Sequence, residues 1–216
     1  MGGFFGVAAK EDCIQDLFFG TDYQSHLGTQ RGGMAVLNRD GFTRHIHDIT
    51  NTQFRSKFDG NIRDMHGATG IGVISDFEDQ PILISSHLGR YAIVTVGVIQ
   101  NAEELAAKAY LRKNTHFSEI AANYVNPTEL VATLINEEDS FAAGIERAQA
   151  AIEGSCSILL LTDDGIYAAR DRVGRTPIAI GEKDGARAAT FETCAFPNLD
   201  YEIERYLGPG EIVRLT

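Results

Sequence analysis

His45 and His47, in Arg44-His45-Ile46-His47, stand two residues apart and so share one face of an extended strand, a geometry that could hold a metal if a third ligand approached. Nothing nearby completes such a set, so the pair reads as a surface strand with no metal bound. Gly70-Ile71-Gly72 is a fragment of a dinucleotide fingerprint, but no third glycine follows and no helix begins there, which leaves close packing of a strand. Cys13 follows Glu11 and Asp12, whose charges raise a thiol pKa and work against a nucleophile. Cys156 and Cys194 lie in apolar surroundings and read as small core residues in strands.

The elements that would position these residues follow from period and punctuation. Phe4-Phe5 between glycines, running into Val7-Ala8-Ala9, predicts a short buried strand. Cys13 to Phe19 predicts a helix ended by Gly20, with Thr21 capping a second helix towards Gln30. Arg31-Gly32-Gly33 reads as a turn before a hairpin of Met34–Leu37 and Phe42–Ile46 around Asn38–Gly41. Phe54 to Met65 has near-helical spacing and predicts a solvent-facing helix. Strands are expected over Thr69–Ile74, Pro81–Ser85 and Tyr91–Val96.

The period then changes to that of helices. Asn101 is a candidate cap for a helix through Leu111, Pro127 suits a first helical position ahead of the apolar face of Leu130, Val131, Leu134 and Ile135, and Ser140 opens another helix. Strands resume over Ser155–Leu161, Ile166–Arg170, Ile178–Gly181 and Arg187–Glu192, and the turn at Leu207–Glu211 feeds a last one. Two blocks of strands around a block of helices imply an α+β domain of layered sheets, with no internal boundary visible.

Composition bounds the function. Asp and Glu outnumber Lys and Arg by 30 to 19, and the net charge of −11 argues against nucleic acid as a partner. Three scattered cysteines suit a reducing cytosol and a cytoplasmic protein. No apolar run approaches the roughly 20 residues that span a bilayer, so no membrane partner is expected. Gly2 invites a myristoylation reading, but Gly6 stands where that pattern requires Ser or Thr.

Taken in order, the glycine-rich start, Phe18-Phe19-Gly20-Thr21-Asp22, Arg31-Gly32, Gly70-Ile71-Gly72, Gln80-Pro81, Gly97 followed by Asn101-Ala102-Glu103-Glu104-Leu105, Asp171 with Gly174 and Pro177, Glu192-Thr193-Cys194-Ala195 and Pro209-Gly210-Glu211-Ile212-Val213 resemble the N-terminal glutaminase domain of amidophosphoribosyltransferase. This is the type-2 glutamine amidotransferase branch of the N-terminal-nucleophile (Ntn) hydrolases, and the resemblance covers the whole chain. It implies a four-layer αββα sandwich of two antiparallel sheets flanked by helices, no cofactor, and a glutaminase-like domain over residues 1–216 forming the N-terminal part of a longer chain. The partners implied are a C-terminal phosphoribosyltransferase domain of the same chain and further copies in a homo-oligomer.

The family's nucleophile is an N-terminal cysteine exposed when Met1 is clipped; its own α-amine acts as base, and the ammonia released from glutamine passes to the second domain. The resemblance places Gly2 at that position, Ser75 where an arginine binds the glutamine carboxylate, Val96 where an asparagine completes the oxyanion pair with Gly97, and Pro127 where an aspartate holds the glutamine α-amine. None of the four substitutes supplies the inherited group, so no catalytic residue is assigned. Losing an oxyanion donor alone costs about 10²- to 10³-fold. The expectation is a catalytically degenerate domain with a structural or regulatory role in a purine-nucleotide context. Two alternatives stand beside it: a small-ligand module using the relic pocket near Gly2, Arg31, Ser75, Val96 and Gly97, and an active amidotransferase with Cys13 or Ser75 as a non-standard nucleophile. Arg31 itself is expected to make a framework contact.

Overall fold

The computed structural model describes residues 2–111, 117, 120–121 and 124–216; the expected loss of Met1 lies outside them. The chain begins with β1 (Gly3–Ala9), whose alternation sends Phe5 and Val7 to one face of a sheet and Phe4 and Ala8 to the other. Then come α1 (Ile14–Asp22), β2 (Arg31–Asn38), β3 (Gly41–Asp48), α2 (Phe54–Phe58), β4 (Thr69–Ser75), β5 (Ile82–Ser86) and β6 (Gly89–Ile99). The helical block is α3 (Ala102–Leu111), a two-residue pairing of β7 (Ile120–Ala121) with β8 (Tyr124–Val125), α4 (Pro127–Ile135) and α5 (Phe141–Ala151). The chain closes with β9 (Gly154–Thr162), β10 (Gly165–Ala169), β11 (Ala179–Lys183), β12 (Ala186–Thr190), β13 (Glu202–Tyr206) and β14 (Ile212–Leu215).

Among the described residues the strands make two large antiparallel sheets. One runs β13-β11-β12-β1-β4-β2-β3 and the other β14-β10-β9-β6-β5. Three apolar clusters define the layers. Phe5, Leu17, Phe54, Phe58 and Phe196 lie on the outer face of the first sheet with α1 and α2. Phe4, Val73, Val94, Val96 and Leu159 fill the space between the sheets. Leu130, Leu134, Ile145, Ile158 and Leu160 pack α4 and α5 on the outer face of the second. The result is the αββα sandwich, an α+β fold, that the resemblance implies.

Pro127 and Ser140 open their helices as the sequence predicts, whereas the Asn101 side chain does not cap α3. Asn126 Oδ1 accepts from the N–H groups of Thr128 at 2.9 Å and Glu129 at 3.3 Å, with Pro127 in the first turn of α4. Ser140 Oγ accepts from the Ala143 N–H and opens α5. Asn101 instead ties α3 to the end of α5, donating to the Ala151 carbonyl and accepting from the Glu153 N–H, each at 2.9 Å.

The structure departs from the sequence reading in several places. Gly20 does not end α1, which continues to Asp22; a Cβ there would overlap the Phe5 ring, so the glycine lets the helix lie on β1. Thr21 caps nothing, because it sits inside α1 and donates to the Leu17 carbonyl at 2.7 Å, and the expected second helix is a single 3₁₀ turn, Ser25–Leu27. Arg31-Gly32-Gly33 is the start of β2, where Gly32 faces the Phe54 ring and Gly33 lies under the Gln80 carbonyl. Phe54–Met65 is a five-residue helix and a 3₁₀ turn with Phe54, Phe58 and Met65 buried. Cys194 is exposed in a 3₁₀ segment, Thr193–Asn198, and β13 was not anticipated at all because its five residues alternate without a buried face.

Gly70 and Gly72 do serve close packing. A Cβ on Gly70 would press on Leu17 and one on Gly72 on Thr21, so the bare backbone of β4 admits α1 directly onto the sheet. His45 and His47 share a face of edge strand β3, with Asn61 between them: Nε2 of His47 lies 2.6 Å from Asn61 Oδ1, and Asn61 Nδ2 lies 3.2 Å from His45 Nδ1. No cluster of three metal-ligating side chains occurs among the described residues.

Candidate functional site

Strand register brings three of the predicted positions together at one end of the first sheet. Gly3 pairs with Ile74, which sets Gly2 beside Ser75, and Arg31 pairs with Ser75 from the other side. Gly2 is buried, and a Cβ built on it would fall on the carbonyl oxygen of Ile74, well inside van der Waals contact. Ser75 is buried too, and its Oγ accepts from the Phe77 N–H at 3.3 Å, a turn-forming contact. Arg31 bridges Asp48 at 2.5 Å and Asp79 at 3.0 Å.

Val96 belongs to the second sheet. It is buried between the sheets in the cluster that holds Phe4 and Val73, an apolar side chain that fills core. Gly97 is exposed with φ +156°, and a Cβ there would fall on the Ser155 carbonyl oxygen, which accounts for a glycine without reference to catalysis. Pro127 stands at the head of α4, one residue before Thr128, whose Oγ1 lies 2.6 Å from Oγ1 of Thr95. Through that contact the first turn of α4 is tied to β6 next to Val96.

Cys13, one of the two alternative nucleophiles, has no activating surroundings. The Cys13 thiol is buried and pushed up to about 12, first by burial and then by Asp12 and Asp16. Cys156 is likewise pushed up to about 12 by burial, with Glu78 and Asp171 adding to it. A cavity of about 630 Å³ lies between α1 and the loop preceding α2, lined by Asp22, Thr29, Asn51, Gln53 and Arg55 among others, and none of Gly2, Ser75, Val96 or Pro127 contributes to its wall.

Residues 68–194 match the glutamine amidotransferase domain family. The chain belongs to that family. It is similar to the amidophosphoribosyltransferase of Methanocaldococcus jannaschii, 26% identical over 100% of this chain and 47% of that protein, and to that of Bacillus subtilis, 26% identical over 98% of this chain and 45% of the relative. The solved glutamine phosphoribosylpyrophosphate amidotransferase from B. subtilis, complexed with ADP and GMP, superposes with a TM-score of 0.85 at 24% identity, covering 97% of this chain and 46% of that one. At that identity the likeness establishes the fold. The chain spans about half the length of the curated relatives it matches.

Within this glutamine amidotransferase domain the sequence reading missed a buried polar cluster under the predicted site. Glu78 Oε1 accepts from Gln80 Nε2 and from Thr128 Oγ1, each at 3.0 Å. Gln80 in turn donates to the Thr95 carbonyl at 3.1 Å and accepts from the Thr95 N–H at 2.7 Å. Burial pushes the Glu78 carboxyl above its ordinary value, against the hydrogen bonds it accepts. Ser75-Asp-Phe-Glu-Asp-Gln80 falls between two expected strands, and nothing in its spacing marks Glu78 as the residue that turns inward.

A second buried anchor holds the loop after β10. Asp171 accepts from the N–H groups of Val173 and Arg175, each at 3.1 Å, and of Thr176 at 2.7 Å, and from the Thr176 hydroxyl at 2.5 Å. Arg170 donates to the carbonyls of Gly174, Thr176 and Leu207. These contacts keep the loop rigid.

Proposed function

We propose that this is a catalytically degenerate glutamine amidotransferase domain that serves as a structural or regulatory module of an amidophosphoribosyltransferase-like protein. The observation that carries the reading is Gly2: the position aligned with the nucleophile has no side chain, and the Ile74 carbonyl occupies the space a Cβ would need. Without a thiol there is no covalent route to the glutamine amide. Ser75 has no cation for a substrate carboxylate, Val96 offers no donor to an oxyanion, and Pro127 cannot bind an ammonium group. These substitutions act on binding and chemistry together, which distinguishes the site from one disabled only at its nucleophile.

Residues 1–216 form, in this reading, the N-terminal glutaminase-like domain of a longer cytoplasmic chain, partnered by a phosphoribosyltransferase domain and assembling as a homo-oligomer. The coverage of the relatives, whose matched portion is about half their length, supports that arrangement. A solved protein described as the allosteric regulatory enzyme of purine biosynthesis shares the fold, with a TM-score of 0.85. The purine-nucleotide context is carried over from those proteins.

The test is incubation of the purified protein with glutamine while glutamate and ammonia are measured. The expected result is no release above buffer. Turnover that scales with protein concentration overturns the reading.

A further inference from the structure

The cavity between α1 and the loop before α2 takes no part in the site built around Gly2. Its volume of about 630 Å³ lies within the range of small-ligand sites. Thr29, Asn51 and Gln53 bring neutral hydroxyl and amide groups to its wall, and Ile49 and Phe54 bring apolar surface. Both sides are fixed by backbone hydrogen bonds. On one, the Leu27 N–H donates to the Gln24 carbonyl at 2.9 Å and the Thr29 N–H to Asp76 Oδ1 at 2.7 Å. On the other, the Ile49 N–H donates to the Gln30 carbonyl and the Thr50 N–H to Asp48 Oδ1, each at 2.9 Å. The cavity is part of the fold, so a ligand entering it has little chain to order.

Among the described residues that line it, only Asp22 and Arg55 are charged. Arg55 Nε donates to Asp22 Oδ2 at 2.5 Å, and its guanidinium lies over the Phe19 ring, 5.3 Å from the centroid, which steadies it. A guanidinium carries five N–H donors and a carboxylate two oxygens, so this contact exhausts neither group. Asp22 ends α1, whose last turn holds no basic residue, and the C-terminal end of a helix favours a cation. The Asp22 side chain is 13% exposed and that of Arg55 51%, which leaves the carboxylate sheltered and the guanidinium accessible.

The wall therefore sets an anion and a cation side by side among neutral groups. A simple anion meets the Asp22 carboxylate and the net charge of −11, while a simple cation meets Arg55. A ligand that carries both charges close together and none in sum complements the pair. We propose that this cavity binds a free α-amino acid, with its ammonium on Asp22, its carboxylate on Arg55 and its side chain towards Thr29, Asn51 and Gln53. The site is separate from Gly2, Ser75 and Val96 and does not depend on whether glutamine is hydrolysed.

Backbone amide shifts followed by NMR, as each standard L-α-amino acid is added to about 10 mM, test this. At least one amino acid is expected to give saturable shifts at Thr29, Asn51, Gln53 and Arg55, with a Kd on the order of 1 mM or tighter. The same molecule lacking its ammonium, or with its carboxylate amidated, should bind at least about 10-fold more weakly, and Arg55→Gln and Asp22→Asn should each weaken it by a similar factor. Absence of saturable shifts with every amino acid overturns the proposal. Shifts centred on Gly97 and its neighbours overturn it too, as does equal binding of the two singly charged analogues. Should a variant fail to fold, the comparison of the amino acid with its analogues on the wild-type protein decides.

Discussion

Gly2 faces the carbonyl oxygen of Ile74 so closely that no side chain fits between them. β1 and β4 pair at Gly3 and Ile74, and the approach one residue further leaves the backbone of β4 where a side chain's Cβ would lie. A missing side chain and an occupied space are thus one feature of the strand pairing.

It follows that Gly2→Cys does not rescue glutaminase activity. The Cβ must displace the end of β1 or β4, a strain of about 1–3 kcal/mol. Thermal unfolding should show a lowered Tm, and a glutamate-release assay should remain at background. A stable variant with glutamine turnover would contradict this.

Gly72→Ala should destabilise by a similar amount, about 1–3 kcal/mol, because the new methyl group meets the Thr21 hydroxyl on α1. Thr21→Ala removes that hydroxyl and its bond to Leu17. In denaturant unfolding of both single variants and the double variant, the two costs should sum to more than the double variant shows, since the residues share one contact.

The three thiols should divide sharply in alkylation followed by mass spectrometry. Cys194, exposed in its 3₁₀ segment, should be modified in the native protein. Cys13 and Cys156 are buried, and their thiols, pushed up to about 12, carry almost no thiolate near neutral pH. They should label only on unfolding. Rapid native labelling of Cys13 would reopen it as a nucleophile.

Asp171→Ala strands the N–H groups of Val173, Arg175 and Thr176 that its buried carboxylate holds. A loss of about 3 kcal/mol is expected by denaturant titration, with proteolysis appearing first in the loop after β10. Asp171→Asn, which keeps one acceptor oxygen, should lose less. Equal losses in the two variants would show that the hydrogen-bond set is not what fixes the loop.

Much of the architecture was legible in the chain because the signals are local. Alternation at Phe4, Phe5, Val7 and Ala8 follows from the geometry of a strand with a core on both faces. The Asn38–Gly41 turn, Pro127 at the head of α4, the Ser140 cap and the apolar face of α4 need only near neighbours along the chain. Misreadings arose where a residue answers to a distant partner. Gly20 has the composition of a helix stop, yet Phe5 on β1 requires it bare, and Gly32 and Gly33 look like a turn until Phe54 and Gln80 are laid on them. β13, with every residue exposed, offers no alternation of burial to detect.

The candidate site divides the same way. The sequence by itself determined which side chains stand at Gly2, Ser75, Val96 and Pro127, because a side chain's chemistry is written in its identity. It also carried the resemblance to a glutamine amidotransferase domain that the family match over residues 68–194 bears out. Only the tertiary structure decided that Gly2 stands against Ile74, that Val96 is packed as core, and that Glu78 turns inward to Thr128 while Phe77 turns out. Burial and pairing across sheets depend on which strands and helices meet, and an acidic loop turns a carboxyl inward only when α4 and β6 close around it.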